Sequence, residues 1–483
     1  MNIQRSYFIF IIVFAVIFQG AVIAYVYLNF NRIVPVLMPD DAFYYLKIAE
    51  NISQGYGSVF SIGEPTNGYH PLWLYCLSAI HYVLKPSREV FVLLVLAASS
   101  VVYIATAYPL YRYLKLYKLS DQQVLSGIVL YLFLPWIVNM NFSGLETPLF
   151  YFFLFSFLYQ FKFIISGNDN LRGYILLGVF AGLLMLSRTD AILFTVPLFL
   201  YLAYIKRTTL FTTLLPASIT ASILLTPWLL WNWIRFGTIV QSSGVAMALI
   251  AHNSLPFKMS DMRYFMACKD RLLDTLYRLF VPIFYPHPKY GTFIFPNYRG
   301  VIYSILILLG VYFIIYKIVY KKYLIPLPLL IPSILTIFFY ICIRTFVQVW
   351  HISVILILLI FVVINSLPGR LNLHIISVVM VLLSVISFYS LKYSYYYPQS
   401  GLIKHVKSVY PDKIMKIGIT DAGYFGYFTH HQVTNLDGVV NNQALKYIQA
   451  GVLDHYIKKN NFDIVIADKE RLKYYNRNVN GIE

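Results

Sequence analysis

Long apolar runs separated by short polar breaks fill most of this chain. A helix needs roughly 20 apolar residues to cross the hydrocarbon core of a bilayer. Runs of that kind fall at about 6–30, 90–113, 122–140, 147–165, 171–187, 189–205 and 209–234, then at 301–319, 323–343, 346–366 and 371–392. The pattern predicts about eleven crossings. Ser6–Tyr27 shows no small-residue cleavage site and is expected to stay as the first span. Pro71–Leu84 is apolar but shorter than a crossing, so it is expected to lie at the outer interface. Beyond residue 392 the pattern turns polar. Lys416–Thr420 and Asp463–Ala467 read as strands, and Gln443–Lys459 as one helix between them. The expected architecture is an all-α polytopic membrane domain over 1–392, followed by a small α/β tail domain over 393–483.

Composition agrees with this division. Of 483 residues 59% are hydrophobic and 12% charged, with mean hydropathy +0.67. A soluble domain carries about 25% charged residues. The net charge of +18 does not mark a nucleic-acid binder, because the basic residues sit in short clusters between apolar runs. Arg112, Lys115 and Lys118 share one loop, and Lys162 with Arg172 flank the next alternate one. Lys206 with Arg207, then Lys317, Lys321 and Lys322, then Arg370, fall in further alternate loops. The positive-inside bias puts all of them, with Arg5 and the N-terminus, in the cytoplasm of a plasma-membrane protein. The loops 31–89 and 235–300 and the C-terminal tail are then extracytoplasmic. Three cysteines show neither metal spacing nor an even disulfide framework.

The candidate chemistry gathers on that outer side. Asp40 and Asp41 open a helix with apolar residues at 42, 45, 46, 49 and 52, a pattern suited to lying on the outer leaflet. Capping explains one aspartate at a helix start. Two carboxylates beside a membrane suggest a general base, with a partner that tunes it or a divalent cation. Asn67, Tyr69 and His70 follow in a Pro–Asn–Gly turn, Glu146 starts a span, and Arg188 and Asp190 sit between two spans as an ion pair or a catalytic pair. Arg344 and His351 lie at further outer helix ends, where Arg344 either grips a phosphate or snorkels to the headgroups. In the tail, Asp421 either shapes a strand-end turn or lines an acceptor path. No dense carboxylate cluster for a tightly held cation is evident. A transporter or flippase of lipid-linked sugars is the alternative, but transporters place ionisable groups near the midplane and show paired repeats.

The ordered segments DDAFYYLKIAENI, PTNGYHPLW, SGLETP and SRTDA, with ITDAGYFGYF and NLDGVVNN in the tail, resemble the polyprenyl-phosphate-sugar-dependent GT-C glycosyltransferases. Within that class the resemblance is to bacterial arabinofuranosyl- and mannosyltransferases. It implies a GT-C fold with interfacial helices in the first external loop. It also implies a polyprenyl-phosphate-linked sugar donor and a glycan, lipid or protein acceptor. Asp40 matches the family's usual base, which deprotonates the acceptor hydroxyl for an inverting displacement. Asp41 matches the second acid, which orients the acceptor or binds a metal. Arg344 and His70 would hold the donor phosphate, with Arg188 and Asp190 in support.

Overall fold

The structure is a computed structural model. It describes residues 3–117, 119–207, 211–253, 326–343, 353–366, 373–391 and 398–467, with scattered positions at 262–272, 348–351 and 472–476. The expected span at 301–319 and the side chain of Arg344 lie outside the described residues.

Helices occupy ten of the predicted runs. The first is α1 (Ile3–Leu28), followed by short α2 (Phe30–Leu37), α3 (Asp40–Ser53) and α4 (Pro71–Leu84). Helices α5 (Arg88–Ala105) and α6 (Ala107–Lys115) run on from one another across Thr106. The run at 122–140 is not one rod. Helix α7 (Asp121–Phe133) and α8 (Pro135–Asn141) meet at 52°. Pro135 lacks an N–H and drives Leu134 to an extended ψ of 120°, which ends the first helix. Then come α9 (Thr147–Ile165), α10 (Leu171–Ser187), α11 (Ile192–Ile205), α12 (Leu214–Phe236) and α13 (Ser242–Asn253). Helix α14 (Leu327–Phe338) passes into a π turn at Phe339–Ile343, and α15 (Val354–Ser366) and α16 (Leu373–Leu391) complete the bundle.

Among the described residues four helices are long and apolar enough to cross a membrane, or five if the bent pair is one span. Shorter apolar helices fill the remaining positions. Large apolar side chains point outward from them, including Phe10, Ile17, Leu200, Ile223 and Ile234. An outward apolar belt of this extent fits lipid as the solvent and marks a multi-pass membrane protein.

The tail begins with α17 (Pro398–Val409) and carries β1 (Lys416–Ile419), α18 (Gly423–Phe428) and β2 (Gln432–Asn435). It ends with α19 (Asn442–Ala450), α20 (Leu453–Asn460) and β3 (Ile464–Ile466). The strands form a parallel sheet in the order β2-β1-β3. Two expectations are corrected here. Strand β2, between the two predicted strands, was not anticipated, and the single predicted helix is two, broken where Gly451 takes φ 72°.

A third correction concerns α3. Its polar side is not solvated; the tail, the loop at 59–60 and Arg88 of α5 cover it. Tyr44, Glu50 and Asn51 are all buried. Glu50 pairs with Lys47 at 2.8 Å and Arg88 at 3.3 Å, and Arg88 reaches on to the Thr429 carbonyl of the tail. Phe43 meets Tyr424 edge-on, 5.0 Å between ring centres. Apolar residues on one face of the sheet, Ile417 and Ile419, belong to the same core as the helical bundle. Leu436, Ala444, Ile448 and Leu453 make a second, smaller core of the tail. Tail and bundle therefore pack as one solid.

Candidate active site

The first turn of α3 sends two stripes of side chains in two directions. Residues four apart share a helix face, and neighbours in sequence point about 100° apart. Asp40 and Tyr44 form the stripe that meets the tail. Asp41 and Tyr45 form the stripe that meets the start of α9.

On the tail side the helix N-cap is Pro39, so Asp40 does not cap its own helix. Its carboxylate instead accepts the N–H groups of Gly423 and Tyr424, each at 2.8 Å. The Tyr44 hydroxyl accepts the Ala422 N–H at 3.0 Å and the Asn435 amide at 3.3 Å. Asp437 accepts the N–H of Asp421 at 2.9 Å and of Val439 at 3.0 Å. Burial pushes Asp40 up to about 7 against the lowering effect of its two amide bonds, with Asp421 and Asp437 adding repulsion. Asp437 is also raised, first by burial and then by Asp421.

Asp41 differs from its neighbour. It makes no hydrogen bond to a described residue, and its side chain is half-buried. Its pKa is pushed up to about 8, first by burial and then by repulsion from Asp40, Asp421, Asp437 and Glu146. An oxygen that is open, basic and unengaged is what proton abstraction requires.

On the bundle side Glu146 is the hub. Tyr45 donates to its Oε2 at 3.0 Å, Arg188 Nη1 lies 3.6 Å from its Oε1, and His70 Nε2 lies 3.8 Å from the same oxygen. His70 Nδ1 accepts the Thr189 N–H at 3.4 Å, which leaves the ring proton on Nε2, towards Glu146. Burial lowers the His70 pKa, so the ring is neutral near pH 7. Arg188 grips Asp190 with two parallel bonds of 3.0 and 2.8 Å and donates to the Trp350 carbonyl at 3.0 Å. Tyr340 donates to Asp190 at 2.8 Å and stacks on His351 with ring centres 4.3 Å apart. A cleft lined by Phe150, Arg188, Phe194, Trp350, His351 and Val354 opens beside this pair.

Asn67 and Tyr69 sit in the frame around this chemistry. Asn67 is fully buried and ties Asn232, Ser242 and Asn442 together at 2.9, 3.0 and 2.9 Å. Tyr69 packs against Trp228 and bonds Ser58. Thus Asp40, Asp41, Asp421, Glu146, His70, Arg188, Asp190 and His351 gather at one end of the bundle. Tyr44, Tyr45, Tyr340, Gln241 and the buried role of Asp437 were missed. The i, i+4 spacing in DDAFYY was the signal for the first two. Gln241, which bonds Tyr69, His70 and Thr189, had none.

Among the described residues no group of three His, Cys, Asp or Glu side chains is placed to hold a metal ion. Both oxygens of Asp40 are already taken by backbone amides. Among the described residues the donor set does not fit a resident cation.

Residues 67–231 match the family model described as dolichyl-phosphate-mannose-protein mannosyltransferase. Residues 398–481 match the model of a domain of unknown function, DUF8728. No curated protein matches the chain. Among solved structures it is similar to the archaeal oligosaccharyltransferase AglB from Archaeoglobus fulgidus, in complex with an inhibitory peptide and a dolichol-phosphate. The TM-score is 0.54 at 14% identity, over 99% of this chain and 71% of that one. The family match, over about a third of the chain, and the shared fold together support a glycosyltransferase of the GT-C type. The chain is a membrane-embedded glycosyltransferase.

Proposed function

We propose that the protein transfers a sugar from a polyprenyl-phosphate carrier to a hydroxyl acceptor, with inversion, at the extracytoplasmic face of the membrane. The observation that carries this is Asp41, an unengaged carboxylate held at raised pKa beside a fixed Arg188–Glu146–His70 network. Asp41 takes the proton from the acceptor hydroxyl as its oxygen attacks the anomeric carbon. The bond from that carbon to the phosphate oxygen breaks, and the polyprenyl phosphate leaves with the electron pair. The family match over 67–231 supports a lipid-phosphate donor.

Sidedness is supported by the far ends of the same helices. Arg112 bonds Tyr159, Lys162 lies over the Tyr117 ring at 5.4 Å, and Lys206 pairs with Asp169. This basic end is opposite the carboxylates, as a cytoplasmic face requires. The resemblance assigns the base to Asp40; the amide bonds on both of its oxygens favour Asp41 instead.

The test is transfer of radiolabelled sugar from a panel of polyprenyl-phosphate sugars to octyl glycosides by purified protein. Turnover lost in Asp41→Asn and retained in Asp40→Asn is the expected result. Loss in Asp40→Asn with Asp41→Asn active would return the base to Asp40. No turnover across the panel would remove the glycosyl-transfer reading.

A further inference from the structure

The three cysteines, scattered along the sequence, do not all stay apart in the fold. Cys76 is exposed on α4, but Cys268 and Cys342 meet, thiol hydrogen-bonded to thiol. Cys268 belongs to a helical stretch within 262–272. Tyr264, Cys268 and Leu272 recur every fourth residue and so share one face of it. That face packs on the π turn at Phe339–Ile343. Tyr264, Cys268 and Ile341 are buried together, with Ile337, Leu272 and Cys342 against them. Met262, Met266, Lys269 and Asp270 point away and are exposed. Tyr264 adds a polar tie by donating its hydroxyl to the Cys342 carbonyl.

A reduced cysteine packs as a small apolar group, and two of them could simply fill a satellite core. Among the described residues no further His, Asp or Glu joins the pair to make a metal site. The compartment decides what two touching thiols become. Tyr340 lies two residues before Cys342 in the same turn and donates to Asp190 at 2.8 Å. The pair therefore sits at the carboxylate end of the bundle, the end proposed above as extracytoplasmic. Disulfides form and persist in that oxidising space. The apolar cover from Tyr264, Ile337, Ile341 and Leu272 would shield the bond from reductants once made.

We propose that Cys268 and Cys342 are joined by a disulfide in the mature protein, and that this bond clamps the segment 262–272 to the π turn that carries Tyr340. The inference rests on the sidedness proposed above and on no step of the transfer reaction. Cys342 is half-buried and Cys268 buried, so Cys342 meets the oxidant, a protein or small-molecule disulfide, first. Its sulfur attacks one sulfur of that disulfide, the oxidant's S–S bond breaks, and a mixed disulfide forms. The Cys268 sulfur then attacks the Cys342 sulfur and expels the oxidant's remaining half. Both cysteines end oxidised, and the oxidant leaves as two thiols carrying the two protons. The clamp reaches the site through Tyr340, which bonds Asp190 and stacks on His351. A turn free to shift would carry both contacts with it.

Thiol counting on acid-quenched membranes that hold the full-length protein tests this without any transfer assay. Alkylation in denaturant is expected to label Cys76 alone before reduction and all three cysteines after it. The mass spectrum of the unreduced digest should contain one peptide pair joining residues 268 and 342. Cys268→Ser should free Cys342, which then labels before reduction. Labelling of all three wild-type cysteines before reduction would overturn the disulfide. Treating purified, reduced protein with oxidised glutathione then tells why. Closure of the pair there would fault the sidedness, and failure to close would fault the contact between the thiols. Amide hydrogen exchange at 339–342 reads the clamp. Reduction should speed it about tenfold or more in wild type and leave the already faster Cys268→Ser unchanged. Wild-type exchange indifferent to reduction would overturn the clamp.

Discussion

The carboxylates around Arg188 and those around Asp41 sit at the same end of the bundle and share Glu146, yet they are built on opposite electrostatic plans. Around Arg188 the charges are matched. The guanidinium is 2% exposed, faces Asp190 and Glu146, and spends its remaining donor on a carbonyl. Around Asp41 burial does most to raise the pKa, and the charges are alike, with Asp40, Asp421, Asp437 and Glu146 raising it further. Matched buried charges lock a geometry in place. Crowded like charges leave one carboxylate ready to hold a proton. The first region is a support and the second a reactive group, and Glu146 is the residue they share.

The sharpest way to break this contrast is Asp41→Asn. General-base catalysis contributes about 10²–10⁴-fold, so transfer is expected to fall by about a thousandfold in the radiolabel assay. Stability should move the other way. An aspartate has a pKa near 3.9 in the unfolded chain, and folding raises that of Asp41 to about 8. Between about pH 4 and pH 8 the folded state then binds more protons than the unfolded one, so this group costs stability as pH rises through that window. Asparagine removes the cost. Thermal unfolding at pH 8 should shift upward by about 1 kcal/mol equivalent, a small figure because solvent reaches the half-buried carboxylate. A variant both inactive and less stable would contradict the like-charge account.

Arg188→Ala attacks the matched region and should do the reverse. Removing the guanidinium strands Glu146 and Asp190 in a buried site. Breaking a buried pair in this way costs about 3–5 kcal/mol. The loss should appear as a lower unfolding midpoint at neutral pH, partly recovered in acid as Asp190, no longer held low by Arg188, takes up a proton. Arg188→Lys should rescue little, because an ammonium cannot make two parallel bonds to Asp190 and still reach Trp350.

The wild-type pH profile gives a smaller effect. With Asp41 as base, kcat/KM should rise with pH and level off above about 8. In Asp437→Asn, which removes one neighbouring charge, the midpoint should move to lower pH by a fraction of a unit. An unmoved midpoint would mean that the tail carboxylates do not reach the reactive group.

Much of this was legible in the sequence, for reasons that differ along the chain. The spans were visible because lipid demands about 20 apolar residues regardless of neighbours. The bend at Leu134–Pro135 was also readable in principle, since proline carries its own steric rule. The two faces of α3 were not. A sequence shows that 42, 45, 46 and 49 are apolar, but the tail residues that engage Tyr44 come some 370 residues later, and nothing local announces them. For the same reason Asp40 read as a helix cap or a base. Its partners are backbone amides at 423 and 424, which have no side-chain signature. The glycine at 423 was the one available trace, a residue that tolerates close approach.

The finest test of the matched region is Tyr340→Phe. Tyr340 lies in the π turn after α14, a rare geometry that often marks functional positions. It does two things: its hydroxyl donates to Asp190 at 2.8 Å, and its ring stacks on His351. Phenylalanine keeps the stack and deletes only the bond. A hydrogen bond to a charged group contributes about 1.5–3 kcal/mol, but Asp190 retains both bonds from Arg188, so a loss near 1 kcal/mol is expected. The unfolding midpoint should drop accordingly, while transfer falls severalfold at most. A larger fall in kcat than in stability would make Tyr340 a participant in donor binding through His351 rather than a brace for Asp190. The boundary between support and reactive group would then pass through this turn rather than along α3.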